Sequence, residues 1–163
     1  MASTYEKIAT TTLSSNSATI TFSSISSAYT DLVIVCNFGN TASDVVSFIR
    51  FNGDTGSNYS NTKMFGTGSS TGSQRDSNIT YAKITDNITA NTLIMNTIIN
   101  IQNYSNTTTF KTALVRYNNA SGIVQAIVNL WRNTAAITQI DFGNSSSNYL
   151  AGSTFTLYGI KAA

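Results

Sequence analysis

The chain has 163 residues, 41% of them hydrophobic, and a formal net charge of +2 from nine basic and seven acidic side chains. Histidine and proline are absent, cysteine occurs once, and Ser, Thr and Asn number 22, 25 and 19. This composition removes most side chains used for acid–base, nucleophilic and metal chemistry, excludes disorder driven by charge, and predicts one cooperative domain over 1–163.

The apolar runs are short, rich in Val, Ile, Thr, Phe and Tyr, and divided by Gly, Asn, Ser and Asp, which is the pattern of strands and turns. Strands are predicted over 4–9, 18–22, 31–38 and 45–52. The next stretch, 53–77, holds five glycines among serines and threonines and reads as a long surface loop, the first place to look for surface function. Further strands are predicted over 78–84, 93–101, 109–117, 122–132, 136–142 and 153–161. No stretch reads as a long amphipathic helix. Ten strands at this spacing predict an all-β fold in a single domain, a sandwich or a barrel.

Period-two alternation assigns faces in two strands. In 93–101, Leu93, Met95, Thr97, Ile99 and Ile101 share one face, opposite Ile94, Asn96, Ile98 and Asn100. In 122–132, Val124, Ala126, Val128 and Leu130 form an apolar face opposite Ile123, Gln125, Ile127, Asn129 and Trp131. The β-branched Ile123, Val124, Ile127 and Val128 favour strand over helix there. The second face is too apolar for a lone exposed sheet, so Ile123, Ile127 and Trp131 are candidates for contact with a second layer or a neighbouring subunit.

Chemical motifs are sparse. Cys36 sits in the run Leu32, Val33, Ile34, Val35 and reads as a buried small hydrophobe. The segment Asn52, Gly53, Asp54, Thr55, Gly56 resembles the start of a calcium loop but lacks the Asp spacing and terminal Glu, and Asn-Gly favours a tight turn. The glycines at 66, 68 and 72 lack the Gly-Lys-[ST] end of a phosphate loop. Each of the seven acids, Glu6, Asp31, Asp44, Asp54, Asp76, Asp86 and Asp141, has a plain role as a turn residue or solvated charge, which disfavours a paired-carboxylate glycosidase. Tyr59, Phe65 and Tyr149 are candidate surface-loop contacts that would stack on sugars.

No catalytic residue, cofactor or metal ligand is expected. The nine cations are scattered, so nucleic acid is not an expected partner. No apolar run approaches the ~18 residues of a membrane span and no secretory h-region follows Lys7. These features predict a soluble protein made in a cytoplasm, and the seven N-x-[ST] sequons carry no weight in that setting.

The stretches 29–35 (YTDLVIV), 51–60 (FNGDTGSNYS), 103–112 (NYSNTTTFKT), 130–134 (LWRNT) and 151–160 (AGSTFTLYGI) resemble small virion surface proteins of tailed phages, notably those of aquatic bacteria and cyanobacteria. The likeness spans nearly the whole chain. It implies a jelly-roll-like sandwich, commonly a homotrimer, and either a capsid decoration (cement) protein or a tail-fibre protein. It implies no catalytic residues. A first strand close to Met1 and a last one ending near Ala163 leave no attachment region, which favours decoration. The expected function is binding to the outside of the capsid shell, with the major capsid protein and the chain's own copies as partners. Ile123, Ile127 and Trp131 are then the candidate self-association or capsid interface. The alternative is a tail-fibre or receptor-binding protein that recognises host glycans.

Overall fold

Short strands that alternate apolar and polar residues must bury one face, and here they do so by stacking two sheets. In the computed structural model, which describes residues 4–85, 95–119 and 122–161, twelve strands pair antiparallel throughout, and no helix occurs among the described residues. The strands are β1 (Tyr5–Thr12), β2 (Thr19–Phe22), β3 (Asp31–Phe38), β4 (Ser47–Phe51), β5 (Tyr59–Gly66), β6 (Thr71–Ile79), β7 (Ala82–Lys83), β8 (Met95–Ile101), β9 (Lys111–Asn119), β10 (Val124–Trp131), β11 (Ile140–Asn144) and β12 (Thr154–Ile160).

Eight strands form the large sheet in the order β1-β12-β3-β8-β9-β10-β5-β6, and four form the small sheet in the order β2-β11-β4-β7. The chain alternates between sheets over its first four strands. Late strands are threaded between early ones: β12 lies between β1 and β3, and β11 between β2 and β4. This wrapping of N-terminal around C-terminal strands is the expected single-domain, jelly-roll-like sandwich.

The core fills the space between the sheets. From the large sheet come Leu32, Ile34, Cys36, Phe38, Met95, Ile99, Ile101, Val115, Ile127, Phe155 and Leu157, and from the small sheet Ile20, Phe22, Ile49, Phe51, Ile140 and Phe142. The face expected for β8 is the buried one at Met95, Thr97, Ile99 and Ile101; Leu93 and Ile94 lie outside the described residues. Cys36 is buried as expected, and burial pushes its thiol well above the ordinary cysteine range.

The expected loop over 53–77 is instead mostly a hairpin. After a turn at 52–58, β5 pairs with β10 along its full length and β6 pairs with β5. Its tip is the reverse turn at Thr67–Ser70, closed by the Thr67 N–H on the Ser70 carbonyl at 2.9 Å. The pattern was hidden because β5 points Asn61 and Lys63 inward alongside Tyr59, and β6 is an edge strand polar at nearly every position. Pairing to β10, not side-chain hydrophobicity, fixes this hairpin. The predicted strand over 78–84 is a corner: its first residues end β6, and Ala82–Lys83 cross to the small sheet.

Candidate docking face

Of the two contacts expected for the nominated residues, a second layer or a neighbouring subunit, the structure has the first: they face the small sheet and not the outside, where a partner could reach them. Ile127 and Trp131 are buried in the core, and Ile123 is half-buried against it. Two polar anchors set this phase. The Trp131 indole N–H donates to the Asp54 carboxylate at 2.7 Å, and its ring packs on Tyr59 and Phe51. The Asn129 amide reaches the small sheet, accepting from the Lys83 N–H at 2.9 Å and donating to the Lys83 carbonyl at 3.0 Å. An amide on this inward position ties the two sheets together.

The aromatics nominated for surface contact are corrected too. Tyr59 and Tyr149 are fully buried, each with its hydroxyl bonded to backbone: Tyr59 accepts from the Phe51 N–H at 3.0 Å, and Tyr149 donates to the Gly143 carbonyl at 3.0 Å. Burial raises the pKa of both phenols. A polar loop around Tyr149 disguised a core residue whose ring packs on Phe38 and Phe155. Phe65 is half-buried on β5, with the Lys63 ammonium 5.1 Å from its ring centre. None of the three stands on an open loop.

Five of the acids, Glu6, Asp31, Asp54, Asp76 and Asp141, are engaged in structural bonds. Asp54 closes the turn after β4, where Asn52 and Gly53 take φ of 53° and 67° and the Asp54 N–H meets the Phe51 carbonyl at 3.0 Å. Glycine is required at 53 because two successive left-handed residues make a hairpin-type turn. Besides Trp131, the Asp54 carboxylate accepts from Asn58 at 2.9 Å and the Gly56 N–H at 2.8 Å. Burial pulls its pKa up, but these three donors win and hold it below the usual aspartate value. Asp76 pairs with Lys83 at 2.8 Å, and Glu6 with Lys161 at 2.8 Å. Asp31 accepts from the Asn103 N–H, and Asp141 from Thr21 and Gln139. Lys111, 1% exposed, donates to the Thr109 and Thr134 carbonyls at 2.7 and 3.1 Å, and burial lowers its pKa. Among the described residues no three His, Cys, Asp or Glu side chains gather into a metal site.

What remains uncovered is the outward face of the large sheet. The register aligns Val128 with Leu114 and Thr62, Leu114 with Asn100, and Asn100 with Val33. The next row aligns Met64, Ala126, Arg116, Ile98 and Val35. Val124 is 60% exposed, Met64 63%, Val128 49% and Leu114 41%. Of seven exposed large hydrophobic residues among the described ones, six lie on this face (Tyr5, Val35, Met64, Leu114, Val124, Val128), and the other, Phe110, precedes β9. A cleft of about 580 Å³ opens between β3, β8, β9 and β10, floored by Val33, Leu114 and Val128 and edged by Asp31, Gln102 and Arg116.

Comparison with known protein families and with curated protein sequences finds no match. The quoted stretches meet each other inside the fold. Residues 51–60 and 130–134 are joined by Asp54 and Trp131, 103–112 joins 130–134 through Lys111 and Thr134, and 29–35 pairs with 151–160 as β3 with β12. They hold the sandwich together, and 29–35 also gives Asp31, Val33 and Val35 to the exposed face.

Proposed function

We propose that this chain is a non-enzymatic virion protein of a tailed phage, a capsid decoration protein that binds outside the shell and stabilises contacts between neighbouring major capsid protein subunits, working as a homotrimer. The observation that carries this reading is the broad apolar face on a body whose polar chemistry is consumed by its own turns and sheet-to-sheet ties. Exposed apolar residues gathered on one face of a sheet mark an interaction surface. Many copies on one shell sum modest contacts into a large stabilisation, and near-neutral charge lets copies crowd without strong mutual repulsion.

Purified protein is expected to co-sediment with expanded capsids that lack it, to saturate at a fixed copy number per capsomer, and to raise the temperature at which those capsids break. Failure to bind, together with normal stability of virions lacking the protein, overturns the decoration role. The residues first nominated for glycan recognition, Tyr59 and Tyr149, are inaccessible; saturable sugar binding on a glycan array without capsid binding would instead favour the tail-fibre alternative.

A further inference from the structure

We infer that the outward face of the eight-stranded sheet is a self-recognition surface, covered in solution by a second copy of this chain. The inference rests on the multi-copy part of the capsid reading and is independent of the shell.

Size is the first reason. Eight strands about 4.8 Å apart and about 25 Å long present a face of about 850 Å² in plan, close to the ~800 Å² that each partner contributes to a stable interface. Six of the seven exposed large hydrophobics among the described residues sit on it, whereas the small sheet turns Thr19 and Thr21 outward on β2 and Arg50 and Asp141 on β4 and β11.

The polar chemistry of the face suits an identical partner. Across the central strands β3, β8, β9 and β10 its charged residues are Asp31 and Arg116, one of each sign, both lining the same cleft, while Lys7 and Arg75 lie on the edge strands β1 and β6. In a pair of copies Arg116 of one can meet Asp31 of the other. Asn118, Asn96 and Asn37 form a cross-strand row, with Asn100 four residues along from Asn96. Amides both donate and accept, so a row of them can satisfy its own copy, which a row of like charges cannot.

Shape gives the contact a direction. Met64 and Val124 stand out near the β5 end, diagonal neighbours across the β5–β10 register, while the cleft floored by Val33, Leu114 and Val128 begins on β10 beside them and runs across to β3. The unbranched Met64 side chain suits an irregular apolar cleft. Ridge into cleft either repeats mutually across a two-fold axis or runs round a closed ring such as the expected trimer.

The test is the solution mass of the purified chain across a concentration series, by light scattering and native mass spectrometry, for wild type and for Val128→Asp and Met64→Asp. Wild type is expected at a whole multiple of 17.4 kDa. Each variant places a carboxylate in the contact and is expected to weaken association at least about a hundredfold, leaving a folded monomer with wild-type circular dichroism. Thr19→Asp, on the exposed side of β2, is expected to leave the assembly intact. Should Val128→Asp fail to fold, the isosteric Val128→Thr replaces it, with weaker association expected. A wild-type monomer throughout the series, or variants that assemble as wild type does, overturns the inference; capsid co-sedimentation is read separately, so its failure and this one remain distinguishable.

Discussion

Removing the Asp54 carboxylate should cost far more than a turn residue ordinarily does. In Asp54→Ala the Trp131 indole N–H, inside a residue 1% exposed, loses the acceptor it meets at 2.7 Å. A buried donor left unmade costs about 1–3 kcal/mol, and a hydrogen bond to a charged group contributes about 1.5–3 kcal/mol. Asn58 and the Gly56 N–H lie at the rim and regain water, so their loss adds little. The expected total is about 2–3 kcal/mol, or roughly 4–12 °C in Tm for a domain of this length. Trp131 is the single tryptophan, so urea unfolding followed by its fluorescence reads the site directly. Asp54→Asn keeps an acceptor oxygen and should cost about half as much. Because the folded pKa of Asp54 is depressed, its contribution is complete above the ordinary aspartate value of about 3.9 and fades as pH falls through the lower folded value. The stability difference between wild type and Asp54→Asn should therefore shrink in that acid window. A cost for Asp54→Ala below about 0.5 kcal/mol, the range of inert surface changes, would refute the reasoning.

Asn129→Leu should destabilise by about 2–4 kcal/mol, because it orphans the buried Lys83 N–H and carbonyl in one step; urea midpoints check this. Gly143→Ala should cost about 1–3 kcal/mol, since a Cβ there would lie 2.7 Å from the Phe48 ring. The Phe48→Leu background should relieve part of that cost, measured as non-additivity in a double-mutant cycle. Cys36 should react with a thiol reagent only as fast as the chain opens, because burial holds the thiol protonated; labelling at the rate of a free thiol in the folded protein would contradict this.

Strand positions were legible wherever β-branched and aromatic residues alternate with polar ones. The prediction for 31–38 matches β3 at both ends, and 93–101, 122–132 and 153–161 each contain the observed strand. The phase of β10 was not legible, because both of its faces are apolar and periodicity cannot choose between them. What decides it is Trp131 and Asn129 finding partners 77 and 46 residues away in sequence, information held in the fold and not in any local window. The candidate face shared that fate: Val124, Val128 and Leu114 were visible as apolar strand positions, but their exposure follows from which side the four-stranded sheet covers. β5 and β6 were missed for the converse reason, since backbone pairing holds them where hydrophobicity does not announce them.

The threading of late strands between early ones has a consequence for biosynthesis. While residues 140–160 are still inside the ribosome, β1 and β3 lack the strand that joins them, and β2 and β4 lack theirs. The emerging N-terminal third therefore carries open edges with no native partner, the condition that invites pairing between neighbouring nascent chains. The sandwich can close only once the late strands have emerged, in a step that brings together segments some 150 residues apart, so its assembly rate should be slow on the scale of small domains and should respond to chaperones that shield strand edges.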